Sequence, residues 1–308
     1  MINFRYHVVS MTAVFLALAI GLILGTTALN GPIADTLRDQ VGSLSKTNQN
    51  LRDQVGHLES EIKKQEQFVT ELAPGVLAGK LTGKRVLLLD ISGAKAEQVD
   101  GVRQMLETAG AKITGRITIT DEFTNPLRSE VMLDRVTKVL PPGITPPTNG
   151  WGPESAAALL AGVLIDRTPA VTKEQRTTVI TAFTEGRFIT VNGSPAEAAE
   201  ATVLVSGPPS TDREASKRND AVVAVAEEFD KAGPIVVAAP GASGDGNVIG
   251  AIRNDPALQK TISTVDNAAG AVGQLVTALA LAEQFGSHVG HYGIGAGSAG
   301  LAPKAEKK

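Results

Sequence analysis

Polar residues and glycines follow several short apolar segments beyond residue 84, where their types and positions would allow chemistry. In sheets of parallel strands, ligands bind where the carboxyl ends of the strands meet the loops that follow them. Asp90 and Asp266 would form an acid–base pair of carboxylates there only if the strand order brought them together. Small polar residues at strand ends also cap the next helix, which is the simpler explanation for each of them. The candidates are Asp90, Ser92, Gly93, Asn192, Gly193, Ser194, Pro240, Gly241, Asp266 and Asn267.

Metal ligands are few in this sequence. The chain has no cysteine, which excludes disulfides, zinc–thiolate sites and thiol catalysis. Its four histidines are His7, His57, His288 and His291, and the last two are spaced to form half a site. The clustered Cys or Met ligands that hold copper are missing. We therefore expect no metal-binding residue, and no histidine inside the folded domain to complete a Ser/His/Asp triad.

A glycine-rich segment, "GASGDG" at 241–246, would offer backbone N–H groups to a phosphate. It lacks the Lys-Ser/Thr of a P-loop and the spacing of a dinucleotide fingerprint. The following segment, "NVIGAIRND", has the composition of a strand rather than of the helix that a phosphate site needs. We therefore interpret 241–246 as a turn, and we predict no cofactor, no catalytic residue and no enzymatic activity.

The segments that would position these residues alternate between strand and helix patterns. This alternation predicts an α/β domain at 80–286 with a mainly parallel, doubly wound sheet, followed at 287–308 by a Gly/Ala-rich and mostly disordered tail. Segments as apolar as "RVLLLD" are expected where helices cover both faces of a sheet. Strands are expected at 85–90, 112–119, 187–191, 202–205, 235–239 and 261–265. Helices are expected at 96–108, 126–139, 154–164, 173–183, 215–231 and 267–285.

Residues 8–29 carry no charged side chain. As a helix they would be roughly 33 Å long, which matches the hydrocarbon core of a bilayer. We therefore predict an uncleaved transmembrane anchor within 1–30. It would cross the cell membrane once, with a cytoplasmic N-terminus and an extracytoplasmic C-terminal body. A cleavable signal peptide is the alternative, because "TTA" at 26–28 is an acceptable cleavage site.

Apolar residues between 34 and 72 repeat every seven positions in two series that are offset by three. β-Branched residues predominate in the first series, position a, and leucine in the second, position d. This combination favours a parallel two-stranded coiled coil, predicted at 34–73. Asn48 occupies an a position, where paired asparagines fix the register of a dimer. The alternative is a lone amphipathic helix that packs on its own domain. Pro74 and Gly75 are expected to end the helix.

The heptads define one partner, a second copy of the chain. Gly21 and Gly25, one helical turn apart, would let two anchors approach closely. The net charge of −3 gives no indication of nucleic-acid binding. The predicted partners are therefore the lipid bilayer, a second copy in a parallel homodimer and another protein at the membrane. The residues of the predicted dimer seam are Leu37, Val41, Leu44, Asn48, Leu51, Val55, Leu58, Ile62, Val69 and Leu72.

Four segments carry a family resemblance: "MINFRYHVVSMTAVFLALAIGLILGT" at the start, "KRVLLLD" after the heptads, "TVDNAAGAVGQLVTALAL" at 264–281 and the closing "GHYGIGAG". Together they resemble the actinobacterial copper-transporter family of MctB-like proteins over nearly the whole chain. The resemblance implies an actinobacterial envelope protein that limits copper inside the cell. It also implies a relation to members that pair with another membrane protein to control wall hydrolysis. It supplies no catalytic or copper-binding residue.

Two functions are therefore expected. The first is copper homeostasis or efflux by a non-enzymatic, membrane-anchored protein, as the resemblance implies. A single span without an ionisable residue cannot enclose an aqueous pore unless several chains assemble. The second is a dimeric envelope scaffold that binds a membrane partner to control cell separation or wall hydrolysis. An anchor, a dimerising helix and a presenting surface are sufficient for that second function.

Overall fold

The computed structural model describes residues 4–29, 32–193 and 197–304 of the 308-residue chain. The chain divides into two compact units, Met1–Gln65 and Glu66–Lys308. The first unit contains helix α1, Phe4–Leu29, and most of helix α2, Pro32–Leu77. The end of α2, from Glu66 onward, belongs to the second unit, which holds the α/β fold.

Helix α2 continues beyond the point where its sequence predicts an end. The expected stop at Pro74 and Gly75 is wrong, since the helix runs to Leu77 and the Ala78 N–H donates to the Pro74 carbonyl at 3.1 Å. Proline disfavours a helix because it removes an N–H and crowds the preceding turn. Ala73 and Leu77, on either side of Pro74, are buried in the second unit, and their burial stabilises the last turn.

A seven-stranded sheet forms the centre of the second unit. The strands are β1 Arg85–Ile91, β2 Lys112–Ile119, β3 Ile189–Asn192, β4 Ala201–Val205, β5 Ile235–Ala238, β6 Ser263–Val265 and β7 His291–Tyr292. Their order is β3-β2-β1-β4-β5-β6-β7, and neighbouring strands are parallel except for β2 and β3. The prediction of an α/β fold with a mostly parallel sheet is confirmed.

Helices cover both faces of this sheet. The helices after α2 are α3 Ala96–Thr108, α4 Asp121–Thr124, α5 Ser129–Val139, α6 Gly152–Leu164, α7 Lys173–Glu185, α8 Ala215–Ala232, α9 Val248–Asn254 and α10 Ala271–Phe285. Alternate residues of a strand point to opposite faces. Leu87 and Leu89 therefore face a core completed by α4 to α9, while Val86 and Leu88 face a core completed by α3, α10 and the end of α2. Burial on both sides explains why the central strands are almost uniformly apolar.

Two segments differ from the sequence prediction. The segment "NVIGAIRND" forms helix α9 rather than a strand, because the Asn247 side chain accepts hydrogen bonds from the N–H groups of Ile249 at 2.9 Å and Gly250 at 3.3 Å. An asparagine in this position is a strong start signal for a helix. The predicted tail contains regular structure, since β7 at His291–Tyr292 extends the sheet beside β6, and the structure describes the chain as far as Lys304. The last residues of the predicted tail, 305–308, lie outside the described residues.

Candidate anchor, dimer seam and strand-end sites

Helix α1 contains the one segment of the described residues that is long and apolar enough to cross a membrane, Phe4–Thr26. None of this segment is buried. Two of its hydroxyls bond within the helix: Thr12 donates to the Val8 carbonyl at 2.7 Å and Thr26 to the Leu22 carbonyl at 3.0 Å. Hydroxyls that bond to their own helix need no water, which suits a position in lipid. An N-terminal signal sequence has the same properties, and residues 1–3 and 30 of the predicted anchor lie outside the described residues.

The predicted dimer seam is a row of exposed apolar side chains along α2. Its leucines, together with Val41, Val55 and Ile62, are between 49% and 69% exposed. Asn48 is exposed among them, and Val69 is half-buried. Exposed apolar surface costs about 25 cal/mol per Å² relative to burial, and a contiguous patch of it usually marks an interaction surface.

Polar side chains occupy the faces of α2 away from the seam and pair along the helix. The Gln49 amide donates to Asp53 at 3.3 Å, and His57 Nδ1 lies 3.7 Å from the Glu61 carboxylate. Side chains four residues apart are neighbours on a helix surface, so such pairs support the helix without any tertiary contact. The helix is therefore amphipathic, with a narrow apolar seam and polar flanks.

At the carboxyl edge of the sheet, Asp90 and Asp266 do not form a pair. Strands β4 and β5 lie between β1 and β6, which separates the two positions by roughly 14 Å at the usual strand spacing. Each carboxylate has its own arginine instead. Asp90 accepts a hydrogen bond from Arg116 Nε at 2.8 Å, and Asp266 accepts one from Arg253 Nη1 at 2.7 Å. This separation excludes shared proton chemistry between the two carboxylates.

Arg253 and Asp266 form a buried ion pair, with side chains that are 3% and 0% exposed. The guanidinium also donates to the Thr264 hydroxyl, the Tyr292 carbonyl and the Ala296 carbonyl, each at 2.9 Å. A buried charge needs a partner and satisfied hydrogen bonds to be tolerated. The arginine therefore joins helix α9 and strand β6 to strand β7 and the loop that follows it.

The Asp266 carboxylate also binds the backbone of the loop that follows β7. It accepts the N–H groups of Ile294 at 2.8 Å and Gly295 at 3.0 Å. A Cβ atom at Gly293 would overlap this carboxylate, and the φ of 125° at Gly293 also disfavours any side chain. We call Arg253, Asp266 and the loop 293–296 the C-terminal clasp. Its polar groups bond within the protein, which indicates a structural role.

A crevice for ligands usually opens between the two strands at which the sheet order reverses, here β1 and β4. In this protein it is a cavity of about 30 Å³, with Ser92 and Ser206 among its lining residues. That volume holds about two water molecules. The loops are in contact, since a Cβ atom at Gly207 would lie 2.5 Å from the Gly93 carbonyl oxygen. Ser92 and Gly93 thus lie at the predicted edge, but in close packing.

The antiparallel direction of β3 changes the position of three candidate residues. Asn192 and Gly193 end a strand that runs opposite to the others, so their predicted place at the carboxyl edge is wrong. Ser194 lies outside the described residues. Arg116 and Arg253 were not predicted, and the one sequence signal for each is a charge inside an apolar segment. The candidates that follow β5 and β6 at the expected edge are Pro240, Gly241 and Asn267.

Comparison with known proteins covers the whole chain. The family described as "Copper transport outer membrane protein, MctB" matches residues 1–303. The chain belongs to the MctB family. Proteins named "Copper transporter MctB" from Mycobacterium tuberculosis and Mycobacterium bovis are 30% identical over 309 residues, covering 97% of this chain and 98% of theirs. The Mycobacterium leprae protein of the same name is 29% identical over 313 residues, covering 98% of this chain and 99% of its own.

Membership of the MctB family confirms the resemblance drawn from the sequence. Two of the segments that carried the resemblance meet in the structure. The segment 264–281 contains Asp266, and "GHYGIGAG" at 290–297 contains the loop that Asp266 holds. These two segments therefore have a structural role, because the contacts between them form the C-terminal clasp.

A protein that binds copper needs a group of side chains that can act as metal ligands. Within residues 4–29, 32–193 and 197–304, no group of three or more His, Cys, Asp or Glu side chains is placed to hold a metal ion. His291 lies in β7, so the expectation of no histidine inside the folded domain is wrong. Its Nδ1 is 2.8 Å from the Thr264 hydroxyl, and its Nε2 donates to the Gln259 carbonyl at 3.0 Å. Burial lowers the pKa of His291, while His288 is exposed.

Proposed function

We propose that this protein is a single-pass, membrane-anchored and non-enzymatic envelope protein of the MctB family that acts in copper homeostasis as a parallel homodimer. The observation that supports the dimer is the exposed apolar row along α2. A second copy would cover this row with its own, because residues at heptad spacing pack as knobs into holes. The relatives named copper transporters support the physiological part of the proposal.

The anchor sets the direction of pairing. Helix α1 precedes α2 in every chain, so two copies in one bilayer present their α2 helices from the same end. In this parallel arrangement Asn48 meets the partner's Asn48, and such a pair fixes the register. β-Branched residues at a and leucine at d favour two strands over three or four.

We propose that the N-terminus lies in the cytoplasm and the C-terminal body outside the cell membrane. We also propose that the body is doubly wound, because the strand order extends from β1 in both directions and helices cover both faces. The chain has no cysteine, so Asp245→Cys in an exposed turn provides a unique label. We expect it to react with a membrane-impermeant maleimide in intact cells. Labelling that requires lysis would reverse the orientation.

A copper role must be reconciled with one helix per chain. A single helix cannot surround an aqueous path, because a pore needs several helices around it. Copper movement would therefore require several chains, or a second membrane protein that the dimer holds. The exposed row on α2 also favours the second candidate function, a dimeric scaffold that binds a membrane partner to control cell separation or wall hydrolysis.

The dimer is tested by comparing Leu58→Asp with Ser60→Asp in the full chain. Leu58 lies in the seam, and Ser60 is exposed on the same helix away from it. We expect the wild type and Ser60→Asp to be dimers by light scattering in detergent. Leu58→Asp should be monomeric, because dimerisation would bury two unpaired carboxylates. A wild-type chain that is monomeric at high concentration would refute the dimer.

The same variants separate the two functions in cells that lack the native protein. For copper homeostasis, we expect loss of the protein to raise cellular copper and copper sensitivity. The Ser60→Asp variant should restore normal cellular copper and normal copper resistance, and the Leu58→Asp variant should restore neither. Unchanged copper, together with a membrane protein that co-purifies with Ser60→Asp but not with Leu58→Asp, would support the scaffold instead. Unchanged copper without such a partner would refute both functions.

A further inference from the structure

The end of α2 carries two neighbouring rows of side chains, each spaced by four residues. The inner row is Ala73 and Leu77, which are 2% and 0% exposed and belong to the core under α3 and α10. The preceding Val69 is half-buried and remains a residue of the predicted seam. This row supplies the apolar face that a helix needs in order to pack on its own domain.

The outer row is Phe68, Leu72 and Val76, which are 61%, 49% and 43% exposed. All three belong to the second unit, beside the inner row that packs on the body. Exposed positions of a helix on a monomeric domain are usually polar, as Gln67 and Glu71 are here. Three large apolar residues on one exposed row therefore indicate a surface that is covered in the working protein.

The geometry points to the outer row of a second copy as this cover, so that the dimer interface extends from the seam onto the two α/β bodies. This inference rests on the parallel dimer proposed above. Leu72 is a d position, and Val76 follows Val69 by one heptad, so the register continues past the predicted end at residue 73. Phe68 lies one turn before Leu72 on the same side and widens the contact.

Self-pairing fits the outer row better than a different partner does. In a parallel, in-register dimer Leu72 at d and Val76 at a lie near their own counterparts, as an isologous interface requires, and Phe68 at g flanks them. The row contains no charged residue, so pairing with itself brings no like charges together. Paired helices lie about 8–10 Å apart, and the inner row fixes each helix end to its body. The two bodies would therefore lie side by side rather than move independently.

Disulfide cross-linking of the full chain in membranes tests this interface, because the protein has no native cysteine. We compare Val76→Cys in the outer row with Val55→Cys in the seam. The control is Gln67→Cys, because Gln67 is exposed and lies in neither the outer row nor the seam. Val76→Cys and Val55→Cys should form disulfide-linked dimers to a similar extent on mild oxidation. Gln67→Cys should stay at background, because a disulfide requires Cβ atoms within about 4.5 Å.

The outcomes distinguish the outer row from the seam. Cross-linking at Val55→Cys without cross-linking at Val76→Cys overturns the outer-row interface and leaves the proposed dimer intact. Cross-linking at Val76→Cys alone supports the body contact and overturns the seam. No cross-linking at either position overturns both. Equal cross-linking at Gln67→Cys would show random collision and would also overturn both.

Discussion

Removal of the Asp266 carboxylate tests whether the C-terminal clasp stabilises the α/β body. In Asp266→Ala the buried guanidinium of Arg253 loses its counter-charge, and the N–H groups of Ile294 and Gly295 lose their acceptor. Loss of one partner of a buried ion pair costs about 3–5 kcal/mol, and the hydrogen bonds lost from the part-buried N–H groups add about 1 kcal/mol. We therefore expect the free energy of unfolding to fall by about 4–6 kcal/mol. That is a large part of the stability of an ordinary domain.

The assay is urea unfolding of the full chain in detergent, followed by the fluorescence of the single tryptophan, Trp151, which lies in the body. Asp245→Ala is the matched control, because Asp245 is exposed in a turn and its loss should change stability by less than about 0.5 kcal/mol. Asp266→Asn should fall between the two, since an amide oxygen still accepts an N–H but carries no charge. A loss below about 1 kcal/mol for Asp266→Ala would refute the clasp as a main source of stability.

Asn48→Val is expected to raise the melting temperature of the proposed dimer and to admit other registers or oligomers, visible by light scattering, because an apolar a residue packs better but no longer specifies pairing. Gly207→Ala should lower the melting temperature of the body more than Gly241→Ala, since a Cβ atom meets the Gly93 carbonyl at 207 and nothing within 4 Å at 241; equal shifts would contradict this packing. As the pH falls below about 6.5, the body should lose stability, because burial lowers the pKa of folded His291 and the unfolded chain binds the proton first. His291→Gln should flatten that dependence in urea titrations at several pH values.

Local sequence patterns were sufficient for most elements of the body. Strand β2 and helix α3 occupy the predicted ranges 112–119 and 96–108, because strand and helix propensities there agree with the burial that the fold imposes. Helix α9 was missed because its apolar composition resembles that of a strand, and its start depends on one side chain, Asn247. At the start of α9 the Asn247 side chain satisfies two backbone N–H groups that a strand would have to pair with a neighbouring strand. The helix therefore forms there despite its strand-like composition.

Contacts between distant residues were not predictable in the same way. Arg116 bonds to Asp90 across two neighbouring strands, and Arg253 bonds to the Tyr292 carbonyl on β7. The sequence shows a charge in an apolar segment, but the strand order decides which carboxylate or carbonyl it meets. The direction of β3 is equally non-local. Four residues pair antiparallel at the edge of the sheet, and nothing in their alternation of side chains fixes that direction.

The segments that carry the family resemblance coincide only in part with the α2 surface that we propose to form the dimer. Asp266 and the loop 293–296 lie in two such segments, and the structure uses them to close the fold. A clasp variant should therefore affect function only in proportion to the unfolding that Trp151 reports, whereas Leu58→Asp should abolish function while the body remains folded. The two kinds of variant, compared in the same cells, separate stability from assembly. A clasp variant that stays folded and dimeric but loses its effect on copper would show that the clasp acts beyond stability, and the division between folding and working surfaces would then be wrong.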